Sequence, residues 1–263
     1  MKGGVYMTTS LFWQLFPKKK PIIAMVHIFN DKRQRQIDQA LEDVERLQQG
    51  GVDGLLVENY DCGYLDTNRA TEEMAERLAE IVIAVKKHSK IPIGVNVLPN
   101  DYWKSFSVAL STGGTFIQMD HVTGDFEDCE SVDAEEYLWT RRCYRNIAVF
   151  GGIHPKYYKL VEPTCSLAEC AKKAMVLADA VVVTGQFTGD SVTLDDLRVA
   201  REALGEHPLV VGSGLTPHNA QAQLAIADGA IVGTTFKKGG VRPGESIDLD
   251  LVKQLMDEVA KLR

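Results

Sequence analysis

Short apolar runs alternate with longer segments of helical periodicity from one end of the chain to the other. The runs at residues 21–28, 54–59, 92–98, 115–120, 147–153, 180–184, 209–212 and 230–233 are rich in Val and Ile. Several are apolar at nearly every position, as expected of parallel strands covered on both faces; a half-exposed strand would alternate. Their starts recur about every thirty residues, the length of one strand–helix unit with its connections. Between the runs, Ile37, Leu41, Val44 and Leu47 share one helical face, as do Met74, Leu78, Ile81 and Val82 in the next segment. Further helices are predicted near 101–110, 134–145, 166–178, 194–204, 217–227 and 248–262.

One pattern repeats within this alternation. Residues 52–57, 178–183 and 227–232 each read small or apolar, Asp, small, then an apolar run, with Asp53, Asp179 and Asp228 in second place. Each falls where a helix returns to a strand, so one turn chemistry is used at the bottom of three units. Eight strands with a helix after the last predict an α/β protein, a single (β/α)8 TIM barrel, over an open doubly wound sheet. The barrel domain takes residues 21–263. Residues 1–20 form a short segment covering the barrel's N-terminal end.

Composition narrows the function classes. The 263 residues are 45% hydrophobic and 25% charged, ordinary values for one globular domain. A net charge of −7 argues against nucleic acid as a partner but not against a small anion, which local lysines and backbone N–H groups bind on an acidic protein. Cys62, Cys129, Cys143, Cys165 and Cys170 show no CxxC spacing, and no secretion signal is evident, so reduced thiols and a cytoplasmic location are expected. No stretch is apolar enough for stable membrane insertion. The aromatic, lysine-rich residues 11–20 leave peripheral contact with an anionic membrane open, beside their plainer role as a cover for the barrel end. A homo-oligomer is also left open.

Barrel active sites lie at the C-terminal ends of the strands. Polar residues follow the apolar runs there: His27, Glu58, Asn59, Asn96, Asp120, His154, Thr184 and Ser213. Glu58 is the leading acid/base candidate, because a carboxylate closing an apolar strand is costly to desolvate and its pKa rises toward neutrality. Its alternative is a structural hydrogen bond between loops. Asp120 supplies a second carboxylate and with Glu58 offers a site for a divalent metal, with a turn or helix-capping role as the alternative; no cofactor is evident. His27 and His154 are candidate proton carriers, with ordinary hydrogen-bonded roles as the alternative. Lys156 is a Schiff-base candidate against an equally plain packed loop of Pro155, Tyr157 and Tyr158. Asn59, Asn96 and Thr184 are candidates for substrate binding, and Asn96 also fits a bridge between strands.

The sharpest local signal is Gly212, Ser213 and Gly214 followed by Leu215, Thr216 and Pro217, then Gly233 and Thr234 at the end of the last strand. Glycines let backbone N–H groups approach a ligand closely, and paired loops after strands seven and eight form the usual phosphate site of this fold; the alternative is that these glycines only make tight turns. Lys237 and Lys238 read as exposed, solvated loop residues. HExxH and GxSxG are absent, so zinc and serine hydrolases gain no support.

Residues 19–27, the Val57-Glu58-Asn59 triplet, residues 94–98, 183–185, 212–217 and 228–234 together resemble the BtpA/SgcQ family over nearly the whole chain. The resemblance implies a phosphate-binding barrel akin to phosphoribosylanthranilate isomerase. One branch of the family is associated with photosystem I biogenesis in phototrophs and another with bacterial sugar-utilisation gene clusters. Members are labelled nucleosidases or isomerases by analogy. Two stretches depart from the pattern, the loop after His27 and the end of strand four at Gln118-Met119-Asp120-His121. The expectation is an enzyme acting on a small phosphorylated metabolite, a sugar phosphate or ribosyl compound, by isomerase, lyase or nucleosidase chemistry. The alternatives are a non-catalytic biogenesis factor for a membrane complex and a phosphometabolite sensor.

Overall fold

The computed structural model describes residues 10–29, 31–60, 69–127, 130–156, 158–161 and 165–263. Eight parallel strands follow one another around a closed barrel: β1 (Ile22–His27), β2 (Gly54–Glu58), β3 (Ile93–Asn96), β4 (Phe116–Met119), β5 (Ala148–Ile153), β6 (Ala180–Val183), β7 (Leu209–Val211) and β8 (Gly229–Val232). β8 closes the ring on β1 through the Ile22–Ala230, Ile23–Ile231 and Ala24–Val232 pairs. Apart from Gln118 in β4, every strand residue is buried, which explains the unbroken apolar runs.

Alternation along each strand divides the apolar residues into two cores. Ile23, Met25, Leu56, Phe116, Phe150, Val182, Val210 and Ile231 fill the barrel, while residues such as Ala24, Val26, Leu55, Val57, Val181 and Val211 face the helices outside. The helices are α1 (Leu11–Leu15), α2 (Arg33–Gln49), α3 (Glu72–His88), α4 (Tyr102–Thr112), α5 (Ala134–Cys143), α6 (Leu167–Leu177), α7 (Leu194–Leu204), α8 (Ala220–Leu224) and α9 (Leu249–Ala260). Side chains of Thr71, Asp101, Asp133, Ser166, Thr193 and Asp248 accept first-turn N–H groups and start their helices; Ser166 and Glu169 make a full capping box.

Residues 10–16, in the described part of the N-terminal segment, form the floor of the barrel. From α1, Phe12 is fully buried with its ring 5.5 Å from that of Phe150; Phe16 follows, 5.9 Å from Phe116 and 6.1 Å from Phe150. The repeated aspartates work at the same end. Asp53, Asp179 and Asp228 each accept the N–H of Ile22, Val149 or Leu209 at 2.8–2.9 Å, and each donates its own N–H to the carbonyl of that same residue. Each aspartate therefore clasps the start of the preceding strand. An arginine covers the carboxylate: Arg263 at Asp53, Arg141 at Asp179 and Arg201 at Asp228.

Three local expectations change. The helix foreseen at 217–227 shrinks to α8, because the Asn219 side chain accepts the Thr216 N–H and donates to the Gly214 carbonyl, closing a turn where the helix would begin. The inner face of α2 is Ala40, Asp43, Val44 and Leu47, with Leu41 only half-buried, since Asp43 is drawn inward to accept the Ile247 N–H. Cys165 and Cys170 are disulfide-bonded, where reduced thiols were expected; the first turn of α6 carries Cys170 back over Cys165, with Cα atoms 5.7 Å apart. Cys143 is free and exposed, and Cys62 and Cys129 lie outside the described residues.

The clasps predict a measurable cost. Asp228→Ala leaves the Leu209 N–H and the Arg201 guanidinium without their acceptor, and the expected loss is about 2–3 kcal/mol of folding stability. Urea unfolding should show a lower midpoint at an unchanged slope.

Candidate active site at the mouth of the barrel

The polar residues sit one step above the apolar filling, on the same inward rows. His27 pairs in register with Glu58, and Glu58 with Asn96, so three adjacent strands present an imidazole, a carboxyl and an amide side by side. The Asn96 Nδ2 donates to Glu58 Oε2 at 2.6 Å, and the Asn96 amide also hydrogen-bonds Asp120 just past β4. A single buried asparagine thus joins two carboxyl groups. The Tyr158 hydroxyl meets Asp120 from the far side, its ring held against His121 and Phe126.

Burial governs the charge states. Glu58 is 7% exposed, and loss of water together with the Asp120 charge raises its pKa from 4.5 to about 7, against the opposing pull of Lys156 and Asn96. Asp120 is also raised by burial, with Lys156, Asn96 and Tyr158 pulling it back down. His27 lies well below its usual value, because burial and then the charges of Lys237 and Lys156 disfavour the imidazolium. The neutral ring stands edge-on to Tyr60 at 5.0 Å. Among the described residues, its Nδ1, the Asn96 Oδ1 and the Gln118 Oε1 are buried polar atoms without a hydrogen-bond partner.

The loops after β6, β7 and β8 are knitted together on the other side of the mouth. The Ser213 hydroxyl donates to the Asp190 carbonyl and accepts the Gly185 N–H, both at 2.8 Å, and the Thr235 hydroxyl donates to the Leu215 carbonyl at 2.6 Å. Gly214 adopts φ +66°, and a Cβ there would collide with the Asp190 carbonyl. At Gly233 a Cβ would come within 2.7 Å of the His27 ring, so the last strand end approaches the first directly. Gly189 packs toward Thr234. These contacts unite Gly212, Ser213, Gly214, Gly233 and Thr234 in one walled corner adjoining His27.

Other candidates have structural partners. The Asn59 amide grips Leu98, accepting its N–H at 2.8 Å and donating to its carbonyl at 3.3 Å, and so ties the ends of β2 and β3. His154, at φ +48°, places Nε2 3.1 Å from the Cys165 carbonyl, beside the disulfide. Thr184 makes a long 3.5 Å hydrogen bond to the His154 carbonyl. Among the described residues no group of three or more His, Cys, Asp or Glu is arranged to hold a metal ion.

Two residues gain roles that their local sequence understated. Lys156, half-buried, acts electrostatically on Glu58, Asp120 and His27 together. Lys237, expected to be exposed, is only 4% exposed: its ammonium lies 3.9 Å from buried Asp43, donates to the Glu245 carbonyl and sits over the Phe29 ring. Lys238 is exposed as expected and pairs with Asp248. His154, Lys156 and Tyr158 follow β5 at two-residue spacing, a faint signal that the inward row continues past the strand.

Known proteins place this architecture. The sequence matches the BtpA family over residues 18–261. The chain belongs to the BtpA family. A protein of Methanocaldococcus jannaschii is 30% identical over 260 residues, covering 94% of this chain and 97% of its own. The photosystem I biogenesis protein BtpA of Synechocystis is 26% identical over 262 residues, with 95% and 91% covered. The sgc region protein SgcQ of Escherichia coli is 30% identical over 237 residues, with 86% and 85% covered. Among solved structures, this BtpA-family barrel resembles phosphoribosyl anthranilate isomerase of Thermus thermophilus (TM-score 0.58, 13% identity, 92% of this chain and all of the other). It also resembles the N-acetylmannosamine-6-phosphate 2-epimerase of Clostridium perfringens (TM-score 0.58, 14% identity, 92% and 93%). At such identities the likeness establishes the TIM-barrel fold alone.

The Glu58 titration makes stability depend on pH with a definite sign. Its pKa is higher folded than unfolded, so the stability it contributes is whole below about pH 4.5, falls as pH rises toward 7 and stays lost above that. The span from 4.5 to about 7 corresponds to on the order of 3 kcal/mol. Glu58→Gln, which cannot ionise, should be more stable than the native protein at pH 8 by up to that amount and nearly equal to it at pH 4.5. Denaturant unfolding at the two pH values checks this, and an equal difference at both would contradict the assignment.

Proposed function

We propose that this BtpA-family protein is an enzyme that binds a small phosphorylated metabolite of sugar or ribosyl type and acts on it by acid–base chemistry at the barrel mouth. Glu58 is the acid/base group, and the phosphate lies in the corner formed by the loops after β6, β7 and β8. The observation that carries this reading is the Glu58–Asn96–Asp120 row, which holds two carboxyls in a buried, hydrogen-bonded array and brings one of them to a pKa near 7. A group half-ionised at neutral pH both accepts and returns a proton efficiently. His27 joins the two halves of the mouth, adjoining Glu58 on one side and Gly233 on the other.

The reading as a membrane-associated biogenesis factor loses one of its two supports, the N-terminal aromatic segment, and keeps the other, the likeness to the photosystem I biogenesis protein of Synechocystis. Phe12 and Phe16 form the barrel floor, and Lys20 donates to the Ala227 carbonyl. No helix among the described residues is long and apolar enough to cross a membrane. The names of the fold neighbours concern phosphorylated sugars, but at 13–14% identity they support the architecture and leave the substrate to experiment.

Two measurements test the proposal. Titrating inorganic phosphate into nitrogen-15-labelled protein should shift amide resonances chiefly in residues 185–190, 212–216 and 233–240; shifts confined elsewhere, or none at millimolar phosphate, would remove the anion site. On any phosphorylated substrate turned over, Glu58→Gln should lower kcat by roughly 10²–10⁴-fold, the usual worth of a positioned acid/base group. Unchanged turnover would remove Glu58 from the chemistry.

A further inference from the structure

The arrangement around Glu58 specifies more than proton transfer. Two carboxyls joined through one asparagine face a lysine ammonium that is near enough to act on both, with a neutral histidine alongside. A hydrolase of glycosidic bonds needs a carboxylic acid at the leaving group and a carboxylate for water or for the sugar carbon, and has no evident use for a cation acting on both. A cation beside a carboxyl base is what proton abstraction next to a carbonyl requires, because negative charge then develops on the carbonyl oxygen and must be stabilised in a dry site. Lys156, half-buried just past β5, is the lysine that acts on both carboxyls.

We propose that the mouth catalyses enolisation of a phosphorylated hydroxy-carbonyl compound, an aldose or ketose phosphate, with Lys156 as the electrophile that holds the enediolate oxygen. This deepens the acid–base reading above and rests on it. The Glu58 carboxylate takes the proton from the carbon next to the carbonyl. The released C–H electron pair forms the carbon–carbon double bond, and the carbonyl π pair moves onto oxygen, where the Lys156 ammonium receives the charge. For isomerisation, Glu58, now protonated, returns its proton to the former carbonyl carbon while the remaining hydroxyl proton of the enediolate passes to the former carbonyl oxygen, leaving the carbonyl on the neighbouring carbon. For epimerisation, a protonated Asp120 delivers its proton to the other face of the carbon that Glu58 deprotonated. There is no net oxidation and no leaving group. Asn96 is a positioning residue, since its amide fixes both carboxyls. The neutral His27, with its Nδ1 unpartnered among the described residues, supplies a further hydrogen-bonding group for a substrate hydroxyl or carbonyl.

Hydrogen exchange with solvent tests this whichever product forms. The full-length protein is incubated in D2O near neutral pH with ribose 5-phosphate, ribulose 5-phosphate, glucose 6-phosphate or dihydroxyacetone phosphate, and with inosine as a non-phosphorylated ribosyl control. Proton NMR follows the C–H signal next to the carbonyl, and saturation transfer measures binding of the same probes and of inorganic phosphate. Expected is deuterium incorporation into at least one sugar phosphate. Lys156→Met should slow it by at least about 10²-fold with binding retained, as removing one oxyanion donor does, and Lys156→Arg should restore part of the rate. Wild-type exchange by Lys156→Met of unchanged melting temperature would overturn the role of Lys156. Probes that bind without exchange, or base release from inosine without exchange, would overturn enolisation while leaving the phosphate or ribosyl site standing. Failure of inorganic phosphate and every probe to bind would take down both readings.

Discussion

The register of eight parallel strands is the constraint on which everything at the mouth depends, and three aspartates hold it from the opposite end. Asp53, Asp179 and Asp228 each make a two-way hydrogen-bonded contact with the first residue of the preceding strand or its immediate neighbour, under a covering arginine. A parallel strand has no hairpin to fix its offset, so a clasp at its start does that work. A slip of one residue would turn Glu58 and Asn96 outward, toward the helices, and bring Val57 and Val95 into the mouth. The polar face at the mouth thus owes its placement to contacts at the far end of the barrel.

The floor sets the second condition. Phe12 and Phe16 close the bottom, and Phe116 and Phe150 stack above them at 4.7 Å. The lumen below the polar row is therefore solid hydrocarbon, and groups standing on it lose water on one side. This is the physical source of the raised Glu58 and the neutral His27, for which desolvation is the leading cause. The asparagine bridge and Lys156 offset part of that cost, which keeps the Glu58 pKa near neutrality.

The loop after β8 is anchored by different physics. Lys237 reaches buried Asp43 on α2, and Asp43 in turn accepts the Ile247 N–H, so one carboxylate ties the loop and the lead into α9 to the outer helix layer. The lysine also places a positive charge near His27 and helps to keep it neutral. A pair of this kind is a weak source of net stability but a firm one of geometry, since removing either partner leaves an uncompensated buried charge. The corner containing Gly233 and Thr234 is held in place from behind.

Much of the fold was determined by the sequence, because the signals involved are local. The apolar runs end within a few residues of the observed strands, the caps Thr71, Ser166 and Thr193 mark their helices, and the Asp repeat identified a shared turn whose partner only the structure supplied. The identity of Glu58, Asn96 and Asp120 as strand-end polar residues was legible for the same reason. Their union through one amide was not, since it joins three strands separated by long stretches of chain. The backbone partners of Asn59 and Ser213 in neighbouring loops were not legible either, since they too lie far off in the chain. Lys156, Lys237 and the Cys165–Cys170 pair likewise depend on what lies across a loop. Periodicity decides which face a residue takes, but burial, charge partners and pKa depend on atoms that only the closed barrel brings together.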